Sequence, residues 1–328
     1  MHASIADPAV AGDAGASHSS AVLQVGPFLA PLERALLARY DAIRLPEQDQ
    51  AGFLRARGAQ FAVAVTSGKV GVGSDLIRAL PGLRAIVNFG VGYDRTDVDL
   101  ARERGILISN TPDVLNDCVA DTAVALFLDL FRRLSAADRF VRSGGWTRGS
   151  FPLATKASGK RVGIVGLGRI GTVIARRLEA FDSIISYHNR NPVPGVGYRY
   201  AESVLSLAAD SDALIVAAAG GAGSAGLISA DVLAALGPGG YLINIARGSL
   251  VDQDALIAAL TDGTIAGAGL DVFTDEPNVP VALLGMDNVV VLPHLASGTD
   301  ETRQAMTELV LANLERFMRD GTLLTPIR

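Results

Sequence analysis

The stretch Arg161–Val165 reads as a β-strand and runs without a spacer into Gly166-Leu167-Gly168-Arg169-Ile170-Gly171. A helical stretch free of Pro and Gly then continues to about Ala180. No other feature limits the fold of this chain so strongly, because strand, G-x-G-x-x-G turn and helix together make the phosphate-binding start of a doubly wound α/β unit. Each glycine has a physical task. Gly166 permits the tight turn, Gly168 lets the backbone approach a pyrophosphate, and Gly171 lets the helix pack on the strand. The freed N–H groups and the helix N-terminus can then hold phosphates. Leu167, Arg169 and Ile170 share that cradle and are candidate dinucleotide contacts with the three glycines.

The surrounding pattern agrees with such a unit. Strand-like runs recur at Ile184–Tyr187, Ala213–Ala218, Tyr241–Ile245, Ala266–Val272 and Val289–Leu292, which predicts a sheet of six strands. The first third repeats the alternation, with strands at Val22–Val25, Ala62–Thr66, Arg84–Asn88 and Ile106–Ser109 and helices at Ser74–Leu80 and Asp97–Arg104. Both parts are therefore expected to be α/β layers around parallel sheets. Between them, apolar residues spaced by three and four from Leu115 to Val141 predict one long helix, capped by Asp113 and stopped at Gly144-Gly145. Phe127, Leu128 and Phe131 lie off its main stripe, so it is expected to be covered on more than one side. A last helix is expected over about Thr299–Arg319, returning to the first domain. The 328 residues thus divide into a tail (1–20), a first domain built from both ends (21–110 and 299–328), and a dinucleotide-binding domain (111–298).

Composition narrows the function. Hydrophobic residues are 49% and charged ones 19%, enough to build sizeable cores. Net charge is −5 and the basic residues are scattered, so no nucleic-acid partner is expected. No uninterrupted apolar run is long enough for a spanning helix. A single cysteine, Cys118, and four dispersed histidines argue against a disulfide scaffold and against a bound metal. The Ala/Gly/Ser-rich start lacks a signal peptide's basic and apolar regions, and a cytoplasmic protein is expected.

The end of the second strand of the dinucleotide unit bears on the cofactor. An acid there would bind a ribose diol. The chain instead reads Tyr187-His188-Asn189-Arg190; His188, Asn189 and Arg190 are candidate cofactor contacts, and Arg190 can pair with a 2′-phosphate, which favours NADP(H) over NAD(H). Three polar residues follow later strands: Arg247, Glu276 and His294. All fall on the carboxyl edge of the sheet, beside the Gly-rich turn, where open α/β sheets bind ligands. Reduction of a 2-oxo acid needs a cation for the carboxylate and a proton donor for the carbonyl oxygen. Arg247 offers the first as a fork of donors, and His294 is the best-placed imidazolium for the second. Glu276 beside it would orient the ring and favour its charged form.

The chain resembles the D-isomer-specific 2-hydroxyacid dehydrogenase family. The resemblance rests on Val91-Gly92-Tyr93-Asp94, Asn110–Leu115, Val119-Ala120-Asp121, Val165–Gly171, Asn244–Gly248, Gly269–Pro277 and Pro293-His294, and covers about residues 60–328. The Tyr-His-Asn-Arg segment and the ending Leu323-Leu324-Thr325-Pro326 resemble the NADPH-dependent glyoxylate/hydroxypyruvate and hydroxyphenylpyruvate reductase branch. The resemblance implies a Rossmann cofactor domain, a flavodoxin-like substrate domain, a cleft between them, and a homodimer joined through the cofactor domains. It implies Arg247, Glu276 and His294 as the catalytic set. It implies Asp271 near the nicotinamide, and backbone N–H groups of Lys69-Val70-Gly71, with Gly92, at the substrate carboxylate. Ala218, Ile245, Ala246, Ser297 and Gly298 join the candidate cofactor contacts. Trp146 reads either as a residue that reaches the partner's active site or as a plain interface aromatic. The loop Ala218–Gly226 is small and Gly-rich where relatives carry Thr, Glu and Arg, which argues for a mobile cofactor rim. Two further readings retain the same three residues: a dinucleotide-sensing, corepressor-like interaction protein, and a phosphite dehydrogenase.

Overall fold

The computed structural model describes residues 21–327, and the expected tail, residues 1–20, lies outside them. Strand-length runs of Val, Ile, Leu and Ala form two sheets. The first contains β1 (Ala21–Gln24), β2 (Ile43–Arg44), β3 (Phe61–Ser67), β4 (Ala85–Phe89) and β5 (Leu107–Ser109), in the order β2-β1-β3-β4-β5. The second contains β6 (Arg161–Val165), β7 (Ile184–His188), β8 (Arg199–Tyr200), β9 (Ala213–Val216), β10 (Tyr241–Asn244), β11 (Gly267–Leu270) and β12 (Val289–Val291), in the order β12-β11-β10-β9-β6-β7-β8. All strand pairings within both sheets are parallel. Parallel strands are covered on both faces, which explains why they read as unbroken apolar runs. Every residue of β4 and of β9 is buried.

Several expectations need correction. The second sheet has seven strands rather than six, because two-residue β8 pairs with β7 at its edge through Ser186↔Arg199 and Tyr187↔Tyr200. The long helix is two helices, Asn116–Arg132 and Leu134–Arg142, broken where Arg133 turns left-handed (φ 53°). The Asp129 carboxylate accepts from the Ser135 backbone N–H at 2.8 Å and so supports the second start. Asp113 is not the cap. It is itself left-handed (φ 69°), and Leu115 occupies the cap position.

The helix Asn116–Arg132 is covered widely, as its off-stripe aromatics imply: Phe127 and Phe131 are fully buried, and the Phe131 ring lies 4.5 Å from that of Tyr241 on β10. The closing helix, Asp300–Asp320, begins at a Thr299 side-chain cap and packs on the first sheet. Its Met306, Val310, Leu314 and Phe317 are buried in one core with Val22, Val63 and Val87. The chain end is tied there as well, by a bridge between Pro326 and Ser109. Strand order reverses between β1 and β3 in one sheet and between β6 and β9 in the other, and each reversal opens a crevice at the carboxyl edge. No helix among the described residues is long and apolar enough to cross a membrane.

Candidate active site

The turn after β6 has the shape its glycines require. Gly166 is left-handed (φ +98°), and a Cβ there would lie 2.6 Å from the Ala218 backbone at the end of the neighbouring strand segment. A Cβ on Gly171 would lie 2.2 Å from the Gly166 carbonyl oxygen, so helix and turn touch. At Gly168 a Cβ would meet nothing within 4 Å, and that open face is the room a pyrophosphate needs. The helix Arg169–Glu179 starts here without a side-chain cap. The N–H groups of Gly168, Arg169 and Ile170 have no acceptor among the described residues, so the turn fits the phosphates of a dinucleotide.

Leu167 is 2% exposed, and its N–H donates to Asn189 Oδ1 at 2.6 Å. Asn189 accordingly braces the turn from the end of β7. His188 beside it shares a hydrogen bond of 2.8 Å between Nδ1 and the Ala201 carbonyl, and its ring stacks on Tyr200. Arg190 is exposed and pairs with no carboxylate among the described residues. The Arg169 guanidinium lies against Asp113, with Nε 3.0 Å from Oδ1.

Arg247 and the His294–Glu276 pair both adjoin the loop that follows β3, at Gly68 and Lys69 respectively. Arg247 follows β10, where buried Asn244 shapes the turn: its Nδ2 donates to the Arg247 carbonyl at 2.8 Å and its Oδ1 accepts from the Ala246 N–H at 3.0 Å. Ile245 and Ala246 are buried beneath this turn. Gly248 packs so tightly on Phe273 that a Cβ would lie 2.0 Å from the Phe273 carbonyl carbon, which draws the Arg247 and Glu276 loops together. Glu276 Oε2 lies 2.7 Å from His294 Nδ1, and its Oε1 accepts from the Phe273 N–H at 3.3 Å. From the first sheet, Lys69 Nζ reaches to 3.7 Å of Glu276 Oε2. The same loop adjoins Arg247, since a Cβ on Gly68 would lie 3.7 Å from Nη2. Burial pushes the Glu276 carboxyl up, but the His294 hydrogen bond and charge, the Phe273 N–H and Lys69 outweigh it and hold it below its ordinary value.

His294 stands in the left-handed region (φ 55°), a strained conformation for its type. Asp271, at the end of β11, supports it by accepting from the N–H of Leu295 at 2.7 Å and of Ala296 at 3.0 Å. Asp271 is fully buried, and burial pushes its carboxyl up against the opposing pull of those two N–H groups. Asp271 thus stands directly beneath the turn that carries His294. Ser297 and Gly298 continue that turn, with the Gly298 N–H returned to the Leu295 carbonyl.

The N–H groups of Val70 and Gly71 both donate to the Ser67 carbonyl, at 3.0 and 2.8 Å, so neither is free for a carboxylate. Those of Lys69 and Gly92 have no acceptor among the described residues. The sequence reading missed Asp94 as a functional residue, although its carboxylate holds Arg247 at 2.8 Å. It also missed the bracing roles of Asn244 and Asn189. An amide as the last residue of an apolar strand is the signal that could have found Asn244. No group of three or more His, Cys, Asp or Glu side chains able to hold a metal occurs among the described residues.

Comparison with known proteins adds an independent line. Residues 124–296 match the family model for the D-isomer specific 2-hydroxyacid dehydrogenase NAD binding domain. The chain is 46% identical over 307 residues to a hydroxyphenylpyruvate reductase of Plectranthus scutellarioides, covering 93% of this chain and 98% of that protein. It is 46% identical over 310 residues to glyoxylate/hydroxypyruvate reductase A of Arabidopsis thaliana, covering 94% and 99%. The crystal structure of an NADPH-dependent glyoxylate/hydroxypyruvate reductase from Sinorhizobium meliloti, in complex with NADP and malonate, superposes with a TM-score of 0.89 at 45% identity, covering 94% of this chain and 97% of that one. Matched over nearly its whole length, with both sheets in common, the chain belongs to the D-isomer-specific 2-hydroxyacid dehydrogenase family and is an NAD(P)-dependent oxidoreductase.

Proposed function

We propose that the protein reduces a small 2-oxo acid, such as hydroxypyruvate, glyoxylate or an aryl pyruvate, to the D-2-hydroxy acid, with NADPH preferred. The observation that carries this reading is the meeting of the His294–Glu276 pair with Arg247 beside one loop of the first sheet. A bound nicotinamide supplies the hydride. Arg247 binds the substrate carboxylate with a donor corner of its guanidinium. Glu276 accepts from His294 Nδ1, which leaves Nε2 as the proton donor for the carbonyl oxygen. Asp271 holds the turn on which that ring stands. Gly168, Arg169 and Ile170 take the pyrophosphate, with Ala218 at the base of the turn, and Arg190 takes the 2′-phosphate. Residues 21–110 with 299–328 form the substrate domain, and 111–298 form the cofactor domain.

We further infer a cytoplasmic location, and a homodimer joined through the cofactor domains; the dimer is supported by Leu134, Val141, Trp146 (70% exposed) and Leu153 (100% exposed), which leave apolar surface uncovered there. The test of the activity is the initial rate of NADPH and NADH oxidation over a panel of 2-oxo acids. Turnover with the three named acids, faster with NADPH, is expected. Absence of turnover with every 2-oxo acid refutes the reading.

A further inference from the structure

The Arg247 guanidinium is held from the opposite side of the cleft. Its Nε donates to Asp94 Oδ2 at 2.8 Å, across 153 residues of sequence, from the loop that follows β4. Its Nη1 donates to the Ala246 carbonyl at 2.7 Å. Nη2 has no acceptor among the described residues. The two side chains are only 26% and 23% exposed. Glycines make the space: a Cβ on Gly92 would lie 1.4 Å from Nη2, and one on Gly220 would lie 2.8 Å from Arg247 Cγ and 3.4 Å from Asp94 Oδ1. Neither glycine is left-handed, so neither turn demands one on conformational grounds. The space demands it. Gly220 belongs to the Gly-rich loop Ala218–Gly226, and this packing gives its small residue a physical reason.

We propose that Asp94 is a positioning residue for the reduction: it fixes Arg247 across the cleft, with Gly92 and Gly220 keeping the space, so that Nη2 is the corner presented to the substrate carboxylate. The proposal rests on the reading of the protein as a 2-oxo acid reductase. Two effects of Asp94 oppose each other. Its charge offsets part of the attraction Arg247 has for an anion, and its hydrogen bond removes the rotational freedom of a long side chain. Orientation outweighs charge here, because a carboxylate is bound by donors in one fixed plane and a small misplacement is costly in rate.

The test compares Asp94→Ala, Asp94→Asn and Gly220→Ala with the parent. The readouts are kcat and KM for hydroxypyruvate, NADPH affinity by fluorescence, and calorimetric binding of oxamate, an unreactive 2-oxo acid analogue, to the NADPH-loaded protein. Asp94→Ala is expected to lower kcat/KM and weaken oxamate by about 10- to 100-fold, with NADPH affinity unchanged. Asp94→Asn, whose carbonyl still accepts from Nε, is expected to recover most of the loss. Gly220→Ala, which crowds both side chains, is expected to reproduce the defect of Asp94→Ala. Parental oxamate binding in Asp94→Ala, or an equal loss in Asp94→Asn, overturns the proposal. A parent that reduces no 2-oxo acid, yet binds oxamate more tightly than Asp94→Ala does, would overturn the activity and leave the positioning role standing.

Discussion

Glu276→Gln separates charge from geometry at the proton donor. The glutamine carbonyl can still accept from His294 Nδ1, so the 2.7 Å contact and the ring's orientation survive, while the negative charge is lost. A charge-assisted hydrogen bond is worth about 1.5–3 kcal/mol and a neutral one about half that, so the substitution removes roughly 0.7–1.5 kcal/mol of attraction felt only by the imidazolium. That corresponds to about 3- to 10-fold in kcat/KM for reduction, the direction in which the ring must give up a proton. The assay is kcat/KM in both directions for parent and variant, with His294→Asn as a control. Asn tolerates the left-handed conformation at 294, and loss of the acid there should lower kcat by about 10²–10⁴ with NADPH affinity retained. An unchanged kcat/KM for reduction in Glu276→Gln, or a near-parental kcat in His294→Asn, would place the proton donor elsewhere.

Other consequences can be checked separately. Arg190→Ala should lower kcat/KM with NADPH by about 10- to 100-fold while sparing NADH, and an unchanged ratio between the two would remove Arg190 from the 2′-phosphate. Gly171→Ala drives a Cβ to 2.2 Å from the Gly166 carbonyl oxygen; it should cost about 1–3 kcal/mol of stability, read as a fall in Tm, and should weaken NADPH. Sedimentation should show a dimer, and a fully active stable monomer would remove Trp146 and its apolar neighbours from any subunit contact.

Much of the fold is legible in the sequence because its cause is local. Strands of a covered parallel sheet are short apolar runs, and the two reversals of strand order follow strands that were visible as such. What escaped notice depends on partners distant in sequence. The Ile43–Arg44 and Arg199–Tyr200 strands are too short for periodicity and exist because β1 and β7 offer edges to pair with. The break at Arg133 is hidden because apolar spacing continues across it, while the Asp129–Ser135 contact that supports it is a side-chain event. At the site, residue types after strand ends pointed to Arg247, Glu276 and His294. Asp94 lies 153 residues from the arginine it holds, and Asp271 is more than twenty residues from the Leu295 and Ala296 N–H groups it accepts from. Leu167, Val70 and Gly71 stand where free N–H groups were expected, but whether an N–H is free depends on an acceptor that pattern does not reveal.

The bracing of the Gly-rich turn has a consequence for redesign of cofactor preference. The obvious segment to exchange is His188-Asn189-Arg190, yet these residues are not equivalent. Asn189 closes the turn through the Leu167 N–H, and His188 is fastened to the Ala201 carbonyl. A graft that replaced all three to favour NADH would remove the support of the loop that receives the pyrophosphate common to both dinucleotides. It would lose binding of the new cofactor along with the old. Arg190 alone stands outside that framework, so a change of preference has to be made at that residue or by adding an acid beyond Asn189, with the asparagine kept.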